Sequence, residues 1–304
     1  MGKIKKDSLG DRQKSYEKAG QTFLVPKMPI IIRIDGKAFH TYTRGMKKPF
    51  DEILCNAMRR TMEALCKDIQ TCVFGYTQSD EITLLLVVND RFKTQTYLGG
   101  KLFKIESLTA SKATRYFNKF FREEVKKVRS QLFLKYRAYA LDNEELMKDI
   151  NNQYEADCFA EIYANEQLTG FDKIYSRRLD EAEFDARAFN VPEWDCINNL
   201  IWRQQDAIRN SVEAAGHANF SHKELDKVNV ADLKQKLLVE KGIDWERDYT
   251  IYQQRGCCAY MVLKERVGRD GKITSRRKWV LDEEMPIIQD NREWFSELTG
   301  LKEE

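Results

Sequence analysis

Two aspartates stand beside turn-forming neighbours at the edges of apolar runs, Asp35 in Ile34-Asp35-Gly36 and Asp80 in Ser79-Asp80-Glu81. Carboxylates so placed can hold a hard divalent cation, which takes oxygen ligands. Gly36 allows a sharp turn and exposes its carbonyl as a further donor. The set suits Mg²⁺, and two such ions ~3.5–4 Å apart serve phosphoryl transfer. Glu81 either adds a ligand or shapes the turn. Asp-Gly and Ser-Asp are also ordinary turn residues, so the dipeptides alone leave both readings open.

Cations for a polyphosphate are present nearby in sequence. Lys101 and Lys104 share a face near a helix start, where the macrodipole favours anions. Lys48, before Pro49, is a third candidate for the same site. Each is equally at home on a solvated surface. Further on, Trp202-Arg203-Gln204-Gln205-Asp206, continued by Arg209 and Asn210, joins an aromatic to groups that hold phosphates or base edges. A plain amphipathic helix accounts for that stretch as well.

For Asp35 and Asp80 to act together, the fold must bring distant residues into one place. Met28 to Ile34 is a short apolar, β-branched run and predicts a buried strand. Asp51 caps a helix after Pro49, carried to about Ile69 by Leu54, Met58, Met62, Leu65 and Ile69. Cys72 to Tyr76 and Ile82 to Val88 predict two strands joined by the short tip Thr77 to Glu81. A long helix follows from about Lys101 to Val128. Residues 130 to about 180 read as a less regular, partly acidic insertion. Phe184 to Val191 predicts the next strand, Asp195 to Ala215 a helix, and Val230 to Lys241 another. Tyr249 to Ile288 predicts strands around a turn at Gly268 to Gly271.

The order β-α-β-β-α-β matches the ferredoxin-like pattern, an α+β fold with an antiparallel sheet and helices on one face. C-terminal helices and strands elaborate it. We expect residues 1–192 to form the catalytic unit, insertion included, and residues 193–304 to pack on it. If the third strand lies between the first two, the end of strand one adjoins the start of strand three, ~4.8 Å away. Asp35 and Asp80 would then share one small site.

Composition narrows the class. No run of about 18 apolar residues occurs, and the Lys-rich start lacks a following apolar stretch, so neither a membrane span nor a secretory signal is expected. The seven cysteines are odd in number and form no CxxC pair, which points to reduced thiols and a cytoplasmic setting. With three histidines a His-based metal site is poorly supported. A net charge of +3 does not announce a nucleic-acid binder, so any anionic partner must meet a local basic face.

Taken in order, five elements resemble one family. Arg33-Ile34-Asp35-Gly36-Lys37-Ala38-Phe39-His40, Lys48-Pro49-Phe50-Asp51, Gly75-Tyr76-Thr77-Gln78-Ser79-Asp80-Glu81, Phe184-Asp185-Ala186-Arg187 and Trp202-Arg203-Gln204-Gln205-Asp206 are similar to the signatures of the tRNA-His guanylyltransferases, enzymes that add nucleotides in the 3′–5′ direction. The resemblance implies a polymerase-like palm acting on the 5′ end of tRNA. It makes Asp35, Gly36 and Asp80 ligands to two Mg²⁺ ions and places Asp35, Asp80 and Glu81 in catalysis. It assigns GTP, ATP or another NTP to Lys37, Ala38, Phe39, His40, Lys48, Ser79, Lys101 and Lys104. Arg203, Asp206, Asn210 and Lys241 fall to tRNA or a second nucleotide. It further implies a homotetramer.

One departure is informative. Eukaryotic members follow the fifth element with His-Ile-Asn-Asn, where this chain has Ile208-Arg209-Asn210-Ser211. The chain therefore looks more like the bacterial branch, associated with template-dependent repair of 5′-truncated tRNA, than a dedicated enzyme adding G to tRNA-His. The sheet and paired aspartates alone would also fit a nucleotide cyclase or another palm transferase. A non-catalytic RNA-binding palm is the alternative of another class.

Overall fold

The computed structural model describes residues 8–88, 93–150, 152–267 and 273–301. Helix α1 spans Leu9–Ala19. Strand β1 spans Ile30–Gly36 and is followed by α2, Glu52–Asp68. Asp51 caps α2 by accepting from the Leu54 amide at 3.1 Å, as its position after Lys48-Pro49-Phe50 predicts. Strands β2, Cys72–Gln78, and β3, Glu81–Leu86, form a hairpin. Helix α3 then runs from Leu102 to Asp142 and α4 from Gln153 to Gln167. After β4, Phe184–Asn190, come α5, Cys196–Asn219, and α6, Val230–Lys241. Strands β5, Cys257–Val267, and β6, Ile273–Asp282, precede α7, Arg292–Thr299.

The sheet order is β4-β1-β3-β2-β5-β6, antiparallel throughout. Strand three does lie between one and two, as the βαββαβ pattern predicts. The C-terminal hairpin β5–β6 extends the same sheet at the β2 edge; its expected turn at 268–271 lies outside the described residues.

Alternation divides the sheet into two buried faces. Ile30, Ile32, Ile34, Ile82, Leu84 and Leu86 pack against Met58, Met62 and Leu65 of α2 and Ile105, Ala113, Phe117 and Phe121 of α3. Such side chains contribute ~1.5–3 kcal/mol each when fully buried. Gly75 lets α2 lie close: a Cβ there would fall 2.3 Å from Cys66 Sγ. On the other face, Ile31, Phe74, Tyr76 and Leu85 meet Ile197, Leu200 and Ile201 of α5 and Phe295 of α7. The palm helices thus occupy one face and the C-terminal helices cover the other.

The stretch 130–180 is helical rather than irregular. No Gly or Pro interrupts the chain from Leu102 to Asp142, so nothing ends α3 at Val128. Its outer part and α4 meet through a Tyr139–Tyr163 stack at 6.2 Å. Exposed Leu134, Tyr154 and Ile162 blur the apolar period that would have announced these helices. Among the described residues, no helix is long and apolar enough to cross a membrane.

Candidate active site

Strand β1 runs into one corner of the sheet and β3 runs out of it. Asp35 faces Glu81 directly in the ladder, and Gln78 pairs with Glu81 across the hairpin. Ser79 and Asp80 alone therefore close the turn. Ser79 takes a left-handed φ of 50°, the kind of conformation a two-residue hairpin requires. The Gly36 amide donates to the Asp80 carbonyl at 3.1 Å, stitching the end of β1 to the tip. Asp35, Gly36 and Asp80 meet here although 45 residues separate the two aspartates.

Asp80 is poorly compensated. Burial raises its pKa above the usual carboxylate value, Asp35 adds to the rise, and the Ser79 hydroxyl, donating at 3.0 Å, opposes it. A cation in the corner would relieve both causes. The donors are carboxylate and carbonyl oxygens, which fit Mg²⁺ and leave positions for water and phosphate. No cluster of three or more His, Cys, Asp or Glu suited to a metal occurs among the described residues; the corner offers two carboxylates and a main-chain carbonyl.

A cavity of about 400 Å³ opens in front of the corner, lined by Gly36, Ala38, Phe39, His40, Thr43, Leu54, Ser79 and Asp80. Its floor is built tightly: a Cβ on Gly36 would fall 2.3 Å from the Phe39 ring. The glycine is thus required by the ring beneath it. Ala38 adopts φ 53° and starts the short turn Phe39–Tyr42. At the head of such a turn the Phe39 and His40 amides have no intrahelical acceptor. Because α2 begins at this end of the sheet, its positive pole faces the cavity. Leu54 in its first turn lines the cavity, whereas the helix beginning near Lys101, of which that role was expected, starts at the far end of the sheet.

The loop carrying His40 and Lys48 is clamped from beneath. Asp51 is buried, accepts from the Lys47 amide at 3.0 Å, and takes the Tyr175 hydroxyl. Arg178 donates to the carbonyls of Tyr42, Arg44 and Ile174. The Tyr42 hydroxyl returns a bond to the Arg178 carbonyl at 3.0 Å. Tyr175 and Arg178 lie in the stretch expected to be irregular, and sequence reasoning missed them: an Arg pair ahead of a polar turn carries no specific signal. Lys48 itself is exposed, and its peptide to Pro49 is cis. Lys37 is exposed and ion-paired to Glu183.

Lys101 and Lys104 are not brought to this corner. The residues before α3 attach to the far end of the sheet: the Leu24 amide donates to the Gly100 carbonyl at 2.8 Å, and the Val25 amide to Asn190 Oδ1 at 2.7 Å. Asn190 faces Ile30, at the opposite end of β1 from Asp35. Down α3, Thr114 Oγ1 accepts from the Phe184 amide at 3.1 Å, level with Gly36. Lys104 is ten residues before Thr114, or ~15 Å along the helix. One chain does not present both lysines to a triphosphate held at Asp35 and Asp80.

In the Trp202-Arg203-Gln204-Gln205-Asp206 stretch Arg203 and Gln204 are buried, while Trp202 and Gln205 are exposed. Arg203 Nη1 lies 2.9 Å from Glu81 Oε2 and 3.4 Å from Asp206 Oδ2, and Arg33 Nε lies 3.3 Å from the same Glu81 oxygen. Burial raises the Glu81 pKa while Arg203 and Arg33 pull it back, and the net displacement is upward. With two guanidiniums this close, the ionised form is the one the geometry supports. Gln204 bonds the Pro286 carbonyl and the Ile288 amide, tying α5 to the C-terminal segment. Asn210 is exposed one turn beyond, its amide donating to Asp206 at 3.3 Å. It also lines a smaller cavity, about 140 Å³, with Phe50, Met58, Gln78 and Tyr252. Lys241 lies outside the corner, over the Phe220 ring at 5.0 Å.

Comparison with known proteins bears on the family and the fold. A family model described as tRNAHis guanylyltransferase matches residues 10–144. The structure is similar to a bacterial tRNA(His) guanylyltransferase-like protein in complex with ATP, at a TM-score of 0.70 and 34% identity, covering 96% of this chain and 99% of that one. A bacterial protein of the same description in complex with GTP matches at 0.68 and 32%, covering 97% and 100%. An uncharacterized protein of Acanthamoeba polyphaga mimivirus is 26% identical over 84% of this chain and 78% of its own length. A probable tRNA(His) guanylyltransferase of Drosophila melanogaster is 36% identical over 24% of this chain and 25% of its own.

Proposed function

The chain belongs to the tRNA-His guanylyltransferase family, and from that premise we propose that it adds nucleotides in the 3′–5′ direction to the 5′ end of tRNA, chiefly as template-dependent repair of 5′-truncated molecules. The observation that carries the proposal is the corner of Asp35, Gly36 and Asp80 beneath a cavity lined by the signature loop. The bacterial proteins in complex with ATP and GTP support both nucleotides as ligands of this chain. The Ile208-Arg209-Asn210-Ser211 stretch, without the eukaryotic His, favours repair over addition of a single G to tRNA-His.

The chemistry is a phosphoryl transfer. ATP or another NTP activates a 5′-monophosphate, or the 5′ end is already a triphosphate. Activation joins the 5′-phosphate oxygen to the α-phosphate of the activating NTP and releases pyrophosphate. The 3′-hydroxyl of an incoming NTP then attacks the 5′ phosphate nearest the RNA and gives its proton to solvent; a new P–O bond forms, and the nucleoside monophosphate of the cap, or pyrophosphate where the end was a triphosphate, leaves with the electron pair of the broken bond. Asp35, Asp80 and the Gly36 carbonyl would hold two Mg²⁺ ions, which when bound supply charge neutralisation for attacking and leaving oxygens. The chain's own task is positioning and electrostatics. The Phe39 and His40 amides and the positive end of α2 receive phosphate oxygens. Exposed Lys48, on the loop that leads to α2, meets outer phosphates, as does Lys37 once released from Glu183, and Ser79 orients the Asp80 carboxylate. Glu81, Arg203 and Asp206 hold the corner in place from behind. Asn210, beside the second cavity, faces tRNA or the second nucleotide, with Lys241 farther out on the RNA side. Lys101 and Lys104 serve tRNA phosphates, on the same copy or across the expected homotetramer. Residues 1–192 form the catalytic unit with residues 193–304 as its support, and the setting is cytoplasmic.

The test is 5′-truncated tRNA incubated with Mg²⁺ and labelled NTPs. Extension complementary to the opposing strand is expected. A lack of any extension while tRNA and ATP both bind would overturn the assignment, and addition of G alone regardless of template would move it to tRNA-His. NTP alone should yield no cyclic product, which separates this reading from a cyclase.

A further inference from the structure

Two of the signature elements retain exposed members that the corner does not use. Asp185, Arg187 and Phe189 of β4 alternate onto the α5 face of the sheet, opposite Asp35, Arg33 and Ile31. Because β4 is an edge strand, α5 does not cover them, and all three are exposed. Trp202, on α5, borders the same strip: its ring lies 6.0 Å from the Arg33 guanidinium. Trp202 is 51% exposed, with the Arg203 guanidinium 3.6 Å from its ring, and Phe189, toward the other end of β4, is 36% exposed.

The charges on the strip point to an anion. Arg33 and Arg187 are directly opposed across β1 and β4, an arrangement that repels unless something negative lies over it. The carboxylate nearest Arg187 is Asp185, at 3.7 Å and itself exposed, so most of the Arg187 donors face outward. Glu81, the partner of Arg33, is shared with Arg203. Aromatic faces interleaved with guanidiniums are the surface that single-stranded nucleic acid uses, bases stacking on rings and phosphates meeting cations. The strip begins at Asp35 itself and leads away along β4.

We propose that this strip seats the single-stranded segment of the RNA substrate that lies opposite the missing 5′ nucleotides, with bases on Trp202 and Phe189 and backbone phosphates at Arg187 and Arg33, beside the Asp35–Asp80 corner where the 5′ end reacts. Asp185, at the corner end, keeps phosphates off that step and sets them at Arg187. The inference rests on the proposed action at RNA ends and names the surface that would receive the strand.

The test measures fluorescence anisotropy of a labelled single-stranded oligoribonucleotide of about 12 nucleotides with full-length protein, wild type and variants. Trp202→Ala is expected to weaken binding about tenfold, while Trp202→Phe retains it, since any aromatic face stacks. Arg187→Glu should weaken it further, and Arg187→Ala should flatten the dependence on salt by about one phosphate contact. ATP binding should be unchanged in each. Arg187→Glu and Phe189→Ser alter exposed positions and carry the test if Trp202→Ala fails to fold. Wild-type RNA affinity in Arg187→Glu and Trp202→Ala would overturn the proposal. So would an altered oligomeric state with unaltered RNA binding, which would make the strip a contact between copies. If wild type binds the strand through these residues yet extends no 5′ end, the reaction assignment falls and the strip stands.

Discussion

Asp80 and Glu81 are neighbours in sequence and carry the same charge, yet the fold assigns them to two regions with opposite electrostatics. Glu81 points into the α5 face, where Arg203 and Arg33 surround it. Asp80 sits at the hairpin tip beside Asp35, held by the Ser79 hydroxyl and raised in pKa by burial. One carboxylate is matched by cations of the chain and contributes to the framework. The other has no cationic side chain among the groups acting on it, and in the proposed reaction it holds Mg²⁺. Burial raises the pKa of both carboxylates, so the difference lies in their neighbours: two guanidiniums beside Glu81, and a second carboxylate, Asp35, beside Asp80.

The sharpest way to break that contrast is to neutralise each carboxylate's region in turn. Asp80→Asn should lower 5′ extension about a thousandfold or more, the scale on which removing charge stabilisation acts. It should leave metal-free stability unchanged or slightly higher, because a disfavoured buried charge is gone. Wild type should also gain about 2.7 kcal/mol from Mg²⁺ at a hundred times its dissociation constant, and Asp80→Asn should not; calorimetry and thermal melts read both. Arg203→Met should do the reverse, costing about 3 kcal/mol of stability by leaving Glu81 buried with less compensation. Pairing it with Glu81→Gln should recover part of that loss, and denaturant titration of the four proteins measures the coupling.

A smaller effect separates the cavity's floor from its contents. Arg178→Ala should cost about 1–2 kcal/mol, since its bonds to three carbonyls are charge-assisted. Its larger mark should be a raised KM for nucleotide, as the loop bearing His40 and Lys48 loses its register. The smallest expected effect is Lys104→Ala, which should change ATP affinity less than about threefold, because charges so far apart are screened at physiological salt. A tenfold loss of ATP affinity, measured where the protein is monomeric, would place Lys104 at the corner after all.

Much of this architecture was legible from the residues. The apolar run into Asp35, the capped helix after Asp51 and the short tip at Ser79-Asp80 implied the strand order, and Asp35 does face Glu81. The location of Lys101 and Lys104 was legible too, by an argument that spacing alone does not make. Since β3 starts at the corner, its end, and so the start of the next helix, must lie at the other end of the sheet. The continuation of α3 to Asp142 was obscured by Leu134 and other apolar residues facing water. The grip of Arg203 on Glu81 depends on where α5 crosses the second face, which no local pattern specifies. Tyr175 and Arg178 act through main-chain carbonyls and a capping carboxylate, and such contacts leave no period or motif.

The most direct test of the central claim is sequencing of the products formed from a series of 5′-truncated tRNAs by wild type and Asp80→Asn with Mg²⁺. The account predicts 5′ extensions complementary to the opposing strand with wild type and none with the variant. Template-matched extension by Asp80→Asn at the wild-type rate would contradict it.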